Sequence, residues 1–470
     1  MSSFTALSSS LYKNMPYGLC MTLEPVHMKE IEEIASGIDY SFTEREKKEN
    51  LEIFKNLSEL KSDGKVILKS IGTLHRFKTD ISTAALSEDN FSVTYASDSG
   101  STNPIPFESG LFLDICHCAA AAVPTDLDVQ RKRTIVCVGF SPDKNSSLTA
   151  GDDWKYFDDG FGRSKTIQID PALLKKRMGR MVHDMAIYAS ESEHILWLQK
   201  EMNKKTDNAK KGQNNTGSDN SFFMMDGPIY PKQLMYWMGT DSDDIKIRYD
   251  KNAQKVLQNY IDIMDFHIEH KIPLAGFVKN PAETQIMNAL REKIKSEKRY
   301  LDLPWATDSQ LFKSFLKNPD EQQNKAPETT NSPNRRKYLT YTNWFLQPNQ
   351  FYEAEIKENS PLVGKNLSHK FEPDDYSLAF FMIYVPYETD GLLFKIESPY
   401  GLIKDDEIRA KITRKMLFEL SMDITPAALL KADSVAKIGM EEKKEIKNLF
   451  SKETIDRTYN SIRWGDIDDF

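Results

Sequence analysis

Three short runs rich in β-branched and aromatic residues, at 91–95, 110–116 and 134–140, follow one another with connectors made of Ser, Gly, Asn and Pro. Turn formers of that kind suit hairpin connections, whereas parallel neighbours need a crossover that is usually a helix. The pattern therefore predicts a three-stranded antiparallel meander. A polar loop with Gly151-Asp152-Asp153 and Asp158-Asp159-Gly160 comes next. A helix is then expected from Asp170, as N-cap, with Pro171 in the first turn, to about Lys204. Its apolar stripe is Met178, Met181, Val182, Met185, Ala189 and Leu196.

Beyond a Lys-, Asn- and Gly-rich insertion at about 206–220, the run Ser221-Phe222-Phe223-Met224-Met225-Asp226 reads as a strand. A helix over 252–270 and a strand over 273–279 follow, and strand, helix, strand in that order predicts parallel pairing. The expected core is an α/β mixed sheet flanked by helices. Before it, Met28, Ile31, Ile34, Leu51, Phe54, Leu57 and Leu60 recur at three-to-four spacing, which predicts a helical N-terminal extension over 1–90, with one strand-like piece at 65–68. A core over 91–470 then carries insertions near 206–220 and 318–337. Strand runs resume at 338–345, 378–385 and 392–397, and helices at 405–420 and 426–438 form a C-terminal helical segment.

At 470 residues the chain exceeds a usual single domain, and 40% hydrophobic with 28% charged residues is the balance of a soluble globular protein. No apolar run is long enough to span a bilayer, and the N-terminus lacks the basic start and apolar stretch of a secretory signal, so a cytoplasmic protein without a membrane partner is expected. Four cysteines do not suggest a disulfide framework in a chain this long. With a net charge of -8, no global basic field would draw in nucleic acid. Local basic clusters do occur, at Arg131-Lys132-Arg133, at Lys175-Lys176-Arg177 with Arg180, at Lys210-Lys211 and at Arg335-Arg336-Lys337.

The acids are the more specific signal. Asp98 follows the first meander strand and Asp226 ends a later one, positions at which a carboxylate is lifted out of the core and held rigidly. A hard divalent cation needs ligands of that kind. On the intervening helix, at about 100° per residue from Met185, Glu193 falls about 80° from the stripe centre and Glu191 about 120° on the other side. Glu193 is thereby the acid expected to face the sheet. Each Asp also has a plain duty available, as a turn residue in Asp98-Ser99-Gly100 and in Asp226-Gly227-Pro228. Asp308 is a further candidate acid or else a helix cap, and Lys279 a phosphate contact or else a surface lysine. Cys116-His117-Cys118 invites a zinc reading, but alternate residues of a strand face opposite ways. No Gly-x-x-x-x-Gly-Lys-Ser/Thr loop is present, so a nucleotide-driven motor, if needed, would be a partner.

An Asp on the first meander strand, a Glu on a helix, an Asp on the next strand and a late helical ligand come in an order that resembles the catalytic acids of RNase H-like nucleases. Closer still, Tyr95-Ala96-Ser97-Asp98-Ser99-Gly100-Ser101 is similar to the first motif of the NurA nuclease family. The segment Phe222-Phe223-Met224-Met225-Asp226-Gly227-Pro228-Ile229 resembles that family's strand ending in Asp-Gly-Pro-Leu, and Ala275-Gly276-Phe277-Val278-Lys279 its Gly-Val-Val-Lys segment. The stretch from Ile424 through Pro426 to Asp433 is similar to its closing pattern. These matches run from about residue 91 to about 438. The resemblance implies an RNase H-like fold and a DNA nuclease dependent on Mn2+ or Mg2+, processing DNA ends as a homodimer beside a hexameric HerA-type ATPase, in DNA repair or in defence. It implies that Asp98, Glu193 and Asp226 are catalytic metal ligands. Asp433, where the family usually has His, would complete the set with a harder donor and favour Mg2+. The alternative is a non-catalytic DNA-binding or scaffold subunit of the same assembly.

Overall fold

In a computed structural model of the protein, the described residues are 25–37, 53–62, 64–87, 89–107, 109–143, 153–171, 178–210, 220–229, 251–297, 303–317, 338–348, 367–387 and 391–453. The expected insertion at 318–337, most of that at 206–220, and the start of the long helix after Pro171 lie outside them. Residues Met1–Ile53 and Phe54–Phe470 form two compact units. In the first, Pro25–Ser36 is a helix with Val26, Met28, Ile31 and Ile34 exposed.

The second unit is built on one mixed sheet. Its strands are β1 (Glu59–Ser62), β2 (Lys65–Ser70), β3 (Arg76–Asp80), β4 (Val93–Ser101), β5 (Ile105–Pro106), β6 (Phe112–Val123), β7 (Arg133–Phe140) and β8 (Lys155–Tyr156). They continue with β9 (Gly162–Gln168), β10 (Ser221–Asp226), β11 (Leu274–Val278), β12 (Tyr338–Thr342), β13 (Phe345–Gln347), β14 (Leu378–Val385) and β15 (Leu392–Pro399). β4, β6 and β7 form the antiparallel meander, and β10 pairs parallel to β4 and to β11. The spatial order β7-β6-β4-β10-β11 is thus 3-2-1-4-5 with the second strand reversed, which is the RNase H-like arrangement. β15 and β14 extend this core antiparallel on one side, and β9 lies parallel to β7 on the other.

Before residue 91 the expected helix over Met28, Ile31 and Ile34 and the expected strand at 65–68 are present, and Leu51 lies outside the described residues. Glu59–Ser62 and Arg76–Asp80 are strands as well, whereas helix was expected to about Lys61. Only Leu57 of the expected stripe sits in a helical turn after residue 55, and Leu60 lies in β1. β1 pairs with β2, β2 with β13, and β3 with β12, so these residues complete the far end of the same sheet. Spacing of three apolar residues over so short a run does not separate a helix from a turn followed by a strand.

β10 shows why an unbroken apolar run marks a central strand. Phe222, Phe223, Met224 and Met225 are all buried, because helices cover both faces of the sheet there. The long helix Met178–Lys210 packs on β4, β6 and β7 and against the helix Lys251–His270. Polar bonds fix it in place. His183 Nδ1 lies 2.7 Å from an oxygen of the buried Asp114 carboxylate, which also accepts from Ser101 and Thr102. Farther along, His194 Nδ1 lies 3.0 Å from Thr134 Oγ1.

His267, on the helix Lys251–His270, is fully buried with its Nδ1 2.9 Å from the Ile272 carbonyl, and burial pushes its pKa from 6.5 down to about 4. The unfolded chain therefore binds a proton that the fold refuses between those values. Its contribution is intact above pH 6.5 and is lost as pH falls toward 4, by up to about 3 kcal/mol at 1.36 per unit. Melting temperature is expected to drop across that window, and less steeply in His267→Gln; equal slopes would assign the acid loss to other groups.

Candidate metal centre

The centre is assembled where β10 ends beside β4, which runs on past Asp98 to Ser101 instead of ending at the acid as the sequence suggested. In the β4/β10 ladder Met225 pairs with Ser97, so Asp98 and Asp226 are the next neighbours, on strands about 4.8 Å apart and on the same face. The Asp98 carboxyl is pushed from 3.8 up to about 7, first by burial and then by the charge of Asp226, with Asp433 adding to it. The Ser99 N–H (2.7 Å) and the Lys279 ammonium oppose that rise. Asp226 is paired directly with Lys279, Nζ to Oδ2 at 2.6 Å.

The turn after Asp226 is held as firmly as the strand before it. Gly227 adopts φ 111°, open to glycine, and its N–H donates to the Phe277 carbonyl at 3.0 Å. The turn presses on β11 at Gly276, where an added Cβ would lie 2.7 Å from the Gly227 carbonyl oxygen. From β15, Glu397 accepts the Ile229 N–H at 3.2 Å while pairing with Lys395 at 2.7 Å, which also pairs with Glu283 at 2.6 Å. Strand alternation gave no hint that Lys395 and Glu397 would be buried. Their burial is secured by mutual pairing, a pattern visible only when the partner strand is known.

The two faces of β4 then bring in the remaining acids. Gly100, on the face of Asp98, abuts the Ala436 carbonyl of the helix Ala427–Ala436, which carries Asp433. His117, opposite Gly100 in the ladder, places its Nδ1 3.1 Å from the same carbonyl. Asp433 is exposed at the rim, near enough to raise the Asp98 pKa. From the other face Ser99 Oγ donates to Glu191 Oε1 at 2.6 Å, and Tyr260 contacts Oε2 at 3.4 Å. Burial, then the charges of Asp98 and Asp226, push the Glu191 carboxyl from 4.5 up to about 8.

Of the expected acids, the structure sets Asp98 and Asp226 side by side, with Asp433 near enough to raise the Asp98 pKa, and directs Glu193 elsewhere. Glu193 lies 3.7 Å from Arg163 and 3.5 Å from Lys255, and accepts from Asn259 at 3.2 Å. Glu191 is instead the helix acid whose carboxyl lies beside Ser99 and feels Asp98 and Asp226. The angular argument failed because the long helix is covered on nearly every side: Ser190, Ser192 and His194 are as buried as Met185. An apolar stripe then no longer points at the sheet. Asp308 is buried and caps another helix, accepting from the Ile286 and Met287 N–H groups at 3.2 and 2.8 Å, while Thr307 caps its own. Cys116 and Cys118 are buried in β6, and Ser190 Oγ donates to the Cys116 sulfur at 3.0 Å.

Among the described residues no three His, Cys, Asp or Glu side chains are gathered as a ready-made metal cage. The donor chemistry nevertheless fits a hard divalent cation. Asp98 and Asp226 are adjacent oxygen donors, desolvated and mutually repelling, and ions such as Mg2+ commonly take one or two carboxylates and fill the rest of the shell with water and substrate phosphate.

A 3-2-1-4-5 mixed sheet with neighbouring carboxylates on its two central parallel strands defines a protein of the RNase H-like class with an acid centre. A NurA domain matches residues 140–438, more than half of the chain, and the chain belongs to the NurA family. Glu191, Asp226, Lys279 and Asp433 lie inside the matched span, and Asp98 precedes it. No curated protein matches the chain. Among solved structures it is similar to the NurA nuclease from Sulfolobus solfataricus, at 10% identity over 91% of this chain and 93% of that one, with a TM-score of 0.38. A structure of NurA with manganese is 11% identical over 90% and 98% of the two chains, with a TM-score of 0.32. Likenesses this slight leave the family match to carry the assignment. Among the described residues no helix is long and apolar enough to cross a membrane.

Proposed function

We propose that the protein is a divalent-metal-dependent deoxyribonuclease of the NurA family, with Asp98 and Asp226 as its central ligands. The observation that supports this most directly is the pair itself. Two carboxylates on adjacent strands, one pushed up to about 7 by burial and by the other's charge, are costly to the fold unless a cation is to be shared between them. When bound, Mn2+ or Mg2+ would supply an activated water and neutralise charge developing on the leaving oxygen. The chain's own part is to hold that chemistry in place. Asp98 and Asp226 bind, Glu191 reaches the centre from the opposite face of β4 through Ser99, and Asp433 faces the rim where a strand of DNA would approach.

Homodimerisation and a HerA-type ATPase partner belong to the same proposal, supported by family membership. The test is cleavage of linear duplex and single-stranded DNA with Mn2+, with Mg2+ and with EDTA. Metal-dependent cleavage that EDTA and Asp226→Ala both abolish is the expected result. DNA bound but left intact in every ion would make the chain a scaffold subunit instead.

A further inference from the structure

Lys279 follows the last residue of β11, and its ammonium sits 2.6 Å from Asp226 Oδ2 with the side chain 39% exposed. It is also the cation that draws the Asp98 pKa back down. The centre thus has a positive charge bonded to the carboxylate that a metal would need. An ammonium and a divalent ion cannot share that oxygen at bonding distance, because their repulsion at about 3 to 4 Å is more than about ten times thermal energy even at an effective dielectric of 20. A metal that takes that oxygen displaces the lysine, which is able to move: its stem is flexible, its head is partly in solvent, and its backbone is anchored at the end of a buried strand.

We propose, building on the nuclease reading, that Lys279 is a catalytic residue that exchanges partners. It pairs with Asp226 when no divalent ion is bound, and when Asp226 turns to the metal it pairs with a non-bridging oxygen of the phosphodiester at the centre. The released ammonium stays within a side chain's length of the Asp98–Asp226 pair, where the substrate phosphate must lie if those carboxylates hold its metal. The exchange also gives the centre a cation in both states, so the acid pair is never left without a counter-charge.

The experiment uses the full chain carrying Lys279→Gln. Titrated calorimetrically with Mn2+ alone, the variant is expected to bind about fivefold more tightly than the parent, the size of one partly exposed ion pair removed from competition. With Mn2+ saturating, KM for DNA is expected to rise, and the slope of log kcat/KM against log salt to become shallower by about 0.9, one phosphate contact. Lys279→Arg should restore the slope. Unchanged or weaker Mn2+ affinity in Lys279→Gln, or an unchanged salt slope, overturns the exchange. Melting curves establish that the variant is folded. Should the parent cleave no DNA in any ion, the nuclease reading fails separately. The Mn2+ titration and the salt slope of DNA binding, followed by anisotropy, then still decide whether the exchange occurs.

Discussion

Replacing Glu191 by Gln is expected to cut DNA cleavage by about 10³-fold, whereas Glu193→Gln, two residues away, leaves the rate within a few-fold and instead lowers stability. The difference follows from what each carboxylate touches. Glu191 feels the charges of Asp98 and Asp226 and is bonded to Ser99, the residue after Asp98. A ligand or water-orienting group lost from a metal-assisted step costs several kcal/mol of transition-state stabilisation, at 1.36 per tenfold. Glu193 answers Arg163, whose guanidinium is nearly buried and stacks 4.1 Å from Trp154 and 4.8 Å from Trp197. Removing that counter-charge leaves a buried cation short of a partner, a cost of about 1–3 kcal/mol. Measured side by side, kcat at saturating Mn2+ should single out the first variant and melting temperature the second. The reverse pattern would return Glu193 to the centre and remove Glu191 from it.

The contrast between these two glutamates marks where the sequence was legible. Strands that end in an acid could be read directly, since a buried central strand must be apolar to its last residue and a charged residue there has to leave the core. Asp226 ends β10 as expected and β10 pairs parallel to β11 as expected, whereas Asp98 lies inside β4, whose polar continuation Asp-Ser-Gly-Ser is held as strand by β6. The helix was different. Its facing is set by what covers it, and the cover comes from the helix Lys251–His270 and from β6 and β7, which local periodicity does not contain. The same holds for β9, whose Gly-Arg-Ser-Lys-Thr-Ile-Gln shows no apolar alternation. It is a strand because β7 offers it an edge. Glu397 and Lys395 were illegible for a related reason: buried charges are tolerated only as a pair, and the pair spans strand β15 and the Glu283 loop. Lys279 was visible as a lysine at a strand end, but its bond to Asp226 depends on the β10/β11 register.

Asp98→Asn is expected to abolish cleavage and, without divalent metal, to make the protein more stable. Asparagine keeps the shape of the side chain and an oxygen to accept the Ser99 N–H, and it removes a charge that the fold disfavours. The sign follows from the shift: a carboxyl raised from 3.8 to about 7 costs nothing while protonated, and destabilises the fold increasingly as pH rises between those values. At pH 8 the gain from the substitution should reach about 2 kcal/mol once partial exposure is discounted, and near pH 4 it should vanish. Mn2+ should then reverse the order. The parent gains RT ln(1 + [Mn2+]/Kd), about 2.7 kcal/mol at a hundredfold excess over Kd, while the variant, with one of its two central donors weakened, gains much less. Melting curves of both proteins at pH 4 and pH 8, with EDTA and with Mn2+, are sufficient to decide. An Asn variant no more stable than the parent in EDTA would mean that the Asp98 charge is not under strain. A parent unmoved by Mn2+ would mean that the acid pair serves something other than a metal.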